Sequence, residues 1–80
     1  MKVWITVHDH RHGLDISAFR SQESADIVRQ EIAAEYWDDE LPDEVKPTDP
    51  ETLADRYFEY MGDSTGRGEW FDVRLVEVEP

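Results

Sequence analysis

The chain has 80 residues, no cysteine and a formal net charge of −12, from 20 Asp and Glu against 8 Lys and Arg. A chain this short buries only about 60% of the surface its unfolded form exposes, so one domain over residues 1–80 is expected, with a small core and no disulfide to staple it. The charge repels nucleic acid and anionic membrane and speeds encounter with basic partners. No apolar run approaches the ~20 residues of a membrane span and no signal-peptide pattern is visible, which points to a soluble, cytoplasmic protein.

Residues 2–8 alternate, with Val3, Ile5 and Val7 on one face and Trp4, Thr6 and His8 on the other, the period-2 pattern of a half-buried strand. His10-Arg11-His12-Gly13 carries turn chemistry, and a second strand over Leu14–Phe19 completes a hairpin. Ser21 suits a helix N-cap, with Glu23 and Asp26 in the first turn where the helix dipole favours negative charge. Ala25, Val28, Ile32 and Tyr36, widened by Ile27, Ala33 and Trp37, give that helix its apolar stripe, and Pro42 sets its latest end.

Thr48 or Asp49 caps a second helix that opens on Pro50 and carries Leu53, Ala54, Tyr57, Phe58 and Met61 inward, with Gly62 placed as its C-cap. A mobile polar loop is expected over Asp63–Gly68, then a third strand over Glu69–Glu79. In that strand Phe71, Val73 and Leu75 share a face, and a bulge at Leu75-Val76 would account for the change of phase. The order ββααβ predicts an α+β fold, a three-stranded antiparallel sheet with the first strand central and two helices packed on one face.

The charge is uneven. Residues 1–20 hold Lys2, Arg11 and Arg20 against Asp9 and Asp15, a local +1, and the remainder carries −13. The densest run is Glu35 to Glu51, with eight carboxylates opposed by Lys46 alone. Salt adaptation, or a solvated face that keeps a marginal domain soluble, also produces acids, but spreads them along the whole chain.

Asp38, Asp39 and Glu40 moreover sit where the helix dipole is negative, a local rule broken without a local gain. Glu31, Glu35, Asp38 and Asp39 recur at three and four residues, about 5–6 Å apart between Cβ atoms, and Asp43, Glu44, Asp49 and Glu51 continue the row. Such a row can occupy the Lys and Arg side chains that a basic protein uses to hold DNA phosphates. A part-exposed Trp37 would add an interface anchor.

A second candidate surface is the sheet face opposite the helices, where Trp4, Phe19 and Trp70 would gather as a contact patch or a homodimer seam, or only as shields for a small sheet. The chain is thus a monomer or a weak homodimer. His8, His10 and His12 would share a face and could ligate zinc, with Asp9 nearby, if the first strand ran through all three. Gly13 and the return strand call for the turn there, which splays the rings, so neither a metal nor any other cofactor is expected. There is no nucleophile elbow, triad context or glycine-rich phosphate loop, and no catalytic residue is assigned.

Glu35-Tyr36-Trp37-Asp38-Asp39-Glu40 together with His10-Arg11-His12-Gly13, in a small acidic chain, resembles the phage-encoded inhibitors called anti-CRISPR proteins, type I-C members in particular. That group shares no common motif, so no residue role carries over. The resemblance implies a protein that acts in the host cytoplasm, binds subunits of an RNA-guided type I surveillance complex (Cascade), and stops target DNA from docking on its basic surface. The alternative is an acidic protein–protein adaptor or regulatory subunit that uses the aromatic sheet face.

Overall fold

Strand β1 (Lys2–His10) lies at the centre of a three-stranded antiparallel sheet, between β2 (Gly13–Phe19) and β3 (Trp70–Glu77). The computed structural model describes residues 1–64 and 68–79, the side chains of 63 and 64 excepted. Part of the loop expected over Asp63–Gly68 therefore lies outside the described residues. Helices α1 (Gln22–Glu40) and α2 (Pro50–Glu59) follow β2, and a π-helical turn (Tyr60–Ser64) extends α2. The order is ββααβ, an α+β arrangement.

Local chemistry accounts for the element ends. Ser21 Oγ accepts the Ser24 N–H at 3.2 Å and starts α1, and Asp49 Oδ2 accepts the Thr52 N–H at 2.9 Å and starts α2 with Pro50 at its first turn. The Leu41 N–H closes α1 on the Trp37 carbonyl at 2.7 Å, one residue before Pro42. In the hairpin His10 pairs with Gly13, whose φ of +135° is rarely open to L side chains. Gly62 is not a left-handed cap: its φ is not positive, and it lies inside the π-helical turn.

Both strand pairings are unbroken, from Lys2↔Glu77 to Asp9↔Trp70 on one side and from Trp4↔Phe19 to His10↔Gly13 on the other. The bulge expected at Leu75-Val76 is therefore absent. Leu75 faces the helix side and Val76 the other, so the apparent change of phase is apolar residues on both faces of one regular strand.

The helices cover the face that carries Thr6 and His8. His8 packs edge-on against Phe58 of α2 (ring centroids 5.9 Å apart) and beside its cross-strand partner Phe71, which meets Phe58 at 5.6 Å. The core continues between the helices through Ala33, Trp37, Leu41, Leu53, Ala54, Tyr57 and Met61. The grouping of Trp4, Phe19 and Trp70 is corrected by this register. Trp4 and Phe19 oppose each other on the helix side, while Trp70, opposite Asp9, lies on the open face.

The open face carries Val3, Ile5, Val7, Leu14, Ile16, Ala18, Trp70 and Val76, with Asp72 and Arg74 among them. An alternating strand states that two faces differ and not which of them is covered. Here α2 supplies an aromatic lid that fits around His8, and the aliphatic face is left open.

Candidate functional site

Two regions stand out, the outer surface of α1 and a cleft at the hairpin end of the sheet. On α1, Glu31, Glu35, Asp38 and Asp39 are exposed, and Asp43 and Glu44 prolong them into the following turn. Among the described residues Lys46 is the cation that reaches this row, with Nζ 3.9 Å from Asp38 Oδ1 and 3.5 Å from the Ala34 carbonyl to which it donates. An exposed pair of that length contributes at most about 1 kcal/mol, so it neutralises little of the field. Asp49 leaves the row for another task. The hydrogen bonds from the Thr52 N–H and hydroxyl hold its carboxyl below the usual carboxylate value, because both stabilise the ionised cap.

Trp37 does not serve as an exposed anchor. It is 2% exposed, sunk in the seam between α1 and α2, and its indole N–H has no hydrogen-bond partner among the described residues. Its burial rests on packing alone. The helical period explains the correction: Trp37 follows Ala33 by four residues on the core stripe, whereas Asp38 is turned toward solvent. Glu40 also departs from the outer row, being half-buried and lining the cleft.

The cleft has a volume of about 240 Å³ and lies among β1, the hairpin, α1 and α2. Its floor is a buried network. Glu69, just before β3, accepts at Oε2 a 3.1 Å hydrogen bond donated by the Tyr57 hydroxyl, and His8 Nε2 lies 3.3 Å from the same oxygen. Burial first, then the charge of Glu69 and the hydrogen bond to it, push the Tyr57 hydroxyl well above its ordinary value, so Tyr57 stays a donor. At the rim, His10 Nε2 lies 2.7 Å from Asp15 Oδ2, and His10 Nδ1 accepts the His12 N–H at 3.3 Å. His12 and Arg11 form the turn itself, with Arg11 Nε donating to His12 Nε2 at 3.2 Å.

Sequence reasoning placed three histidines at this end of the chain but expected the turn to splay them. The strand instead runs through His10, so His8 and His10 stay on one side, and Asp15, opposite His8 on β2, joins them. Glu69 and Tyr57 were missed as partners, because Glu69 lies 61 residues from His8 and 12 from Tyr57. The one local signal was a histidine on the less apolar side of an otherwise β-branched strand.

The fold and these two regions define a small acidic α+β protein with a charged helix surface and a histidine-lined cleft. No protein-family model matches the chain, and no curated protein or solved structure is significantly similar to it. Among the described residues no helix is long and apolar enough to cross a membrane.

Proposed function

We propose that this is a binding protein and not an enzyme: an inhibitor that presents the acidic surface of α1 and its following turn to the basic nucleic-acid channel of a partner, and so competes with DNA. The observation that carries the reading is the exposed row of Glu31, Glu35, Asp38 and Asp39 on α1, prolonged by Asp43 and Glu44 in the following turn, with one distant lysine against it. A row of fixed carboxylates meets lysines and arginines spaced for phosphates without the cost of ordering a flexible tail. The partner that the anti-CRISPR resemblance implies is a type I surveillance complex, with the inhibitor acting in the cytoplasm of the host.

The test is competition. Increasing amounts of the protein should prevent a purified type I-C surveillance complex from shifting its target duplex, and rising salt should weaken the effect. A variant combining Glu31→Gln, Asp38→Asn, Asp39→Asn, Asp43→Asn and Glu44→Gln, all at exposed positions, should fold and fail to compete. Equal potency of the amide variant would sink the reading.

The open sheet face favours a second reading, an acidic adaptor. Leu14 and Ile16 on β2 and Trp70 and Val76 on β3 are exposed there, on either side of Val3, Ile5 and Val7 and with Asp72 and Arg74 between the two β3 residues. With −12 on each chain, a second copy is repelled, and charge complementarity points to a partner protein with an apolar surface rimmed by basic residues. Loss of partner binding in Ile16→Asp, with the amide variant still active, would select this reading over the first.

A further inference from the structure

His8 and His10 are two residues apart on β1 and therefore project to the same side of the sheet, with ring centroids 4.6 Å apart. Asp15 is the direct cross-strand partner of His8. Each of the three offers one donor atom, and these atoms all lie within 4.8 Å of one another. We propose that His8, His10 and Asp15 form a binding site for a zinc-class divalent cation, with a further coordination position facing the cleft.

The donor set selects the ion class. Two imidazoles and a carboxylate suit borderline transition-metal ions, whereas calcium and magnesium take oxygen donors almost throughout. Zinc bonds of about 2.0–2.2 Å in a tetrahedron set donors roughly 3.3–3.5 Å apart, so the three must close by about an ångström. The 2.7 Å His10 Nε2–Asp15 Oδ2 pair would instead part slightly to admit the ion, so the closing falls on the distances to His8, and the 74% exposed Asp15 side chain has room to adjust.

The surroundings resemble the outer shell of a metal site. A histidine that ligates a metal characteristically gives its other ring N–H to a carboxylate or carbonyl, which fixes the ring and raises its basicity. Glu69 stands in that place for His8, 3.3 Å from Nε2, and is itself fixed by the Tyr57 hydroxyl. One nitrogen of His8 is so held and the other remains for a cation; His10 would bind through Nε2 only by moving its proton to Nδ1, which displaces the His12 N–H that Nδ1 accepts at 3.3 Å. Glu35 and Glu40 line the same cleft and add negative charge around it. The rival account is a plain hairpin tie in which the His10–Asp15 hydrogen bond only fastens β1 to β2.

The experiment uses the full chain and zinc ion alone, titrated against a chromophoric chelator at neutral pH, with circular dichroism to follow the fold. One equivalent should bind per chain, and His10→Ala and Asp15→Asn, both at the rim, should each weaken binding by about tenfold or more. Cobalt(II) bound to the unmutated protein should show the intense visible absorption of tetrahedral coordination, a readout that needs no variant to fold. The proposal is overturned if wild type takes up no zinc, if cobalt gives only the weak spectrum of its hydrated ion, or if zinc uptake survives both rim substitutions and disappears in the five-amide variant of α1, which would assign it to the acidic row.

Discussion

On the covered side of the sheet β1 turns Thr6 and His8 inward, 3% and 8% exposed, while on the open side Ile16 of β2 is 62% exposed beside Val7 and Leu14. The more polar face is thus the buried one and the more aliphatic face is left to solvent. Each large aliphatic side chain left exposed forgoes roughly 1.5–3 kcal/mol of burial. The buried side is tolerated because its polar groups are paired: Glu69 answers both His8 and Tyr57, and aromatic rings of α2 and β3 close over them. What gets covered depends on which side offers complementary partners, and an aliphatic face left over is available for another molecule.

The difference between the faces can be sharpened by substitution. The largest effect should come from Glu69→Leu, which leaves the buried Tyr57 hydroxyl and His8 without their acceptor and should cost about 1–3 kcal/mol in chemical denaturation. In a domain with so small a core that is a large part of the total stability. An unchanged denaturation midpoint would show that the network does not hold the covered face.

An intermediate effect, confined to alkaline pH, should come from Tyr57. Its folded value is raised, so its neutral form is favoured in the native state. That contribution is fully present below the unfolded tyrosine value near 10 and is lost as pH rises from there toward the folded value. Stability should therefore fall above pH ~10, and Tyr57→Phe, though less stable at neutral pH by about 0.5–1.5 kcal/mol, should show a flatter alkaline limb. Parallel limbs in the two proteins would remove Tyr57 as their source. The smallest effect belongs to the open face, where Ile16→Ser should change the stability of the isolated chain by no more than about 0.5 kcal/mol. A loss of several times that would mean the face is already covered in solution.

Much of the secondary structure was legible because its signals are short-range. Ser21 and Asp49 cap their helices through contacts three residues long, and Gly13 sits where the hairpin needs a positive φ. The acidic row was legible for the same reason, since helical period alone places Glu31, Glu35, Asp38 and Asp39 on one surface. The bulge expected in β3 is absent: apolar residues on both faces of a regular strand imitate a register shift. Gly62 is no C-cap because α2 widens into a π-helical turn instead of ending, and no local pattern announces that.

By itself, then, the sequence determined the order ββααβ, the helix starts, the hairpin and the uneven distribution of charge, all consequences of periodicity and of side chains bonding to nearby backbone. Only the tertiary structure decided which face of the sheet the helices cover, that Trp37 is core while Asp38 beside it is surface, and that His8, His10 and Asp15 converge above Glu69. Alternation fixes two faces but is symmetric between them. That symmetry is broken by packing between residues far apart in the chain, such as His8 with Phe58 and Glu69, and their fit depends on the shapes and hydrogen-bonding groups that folding brings together.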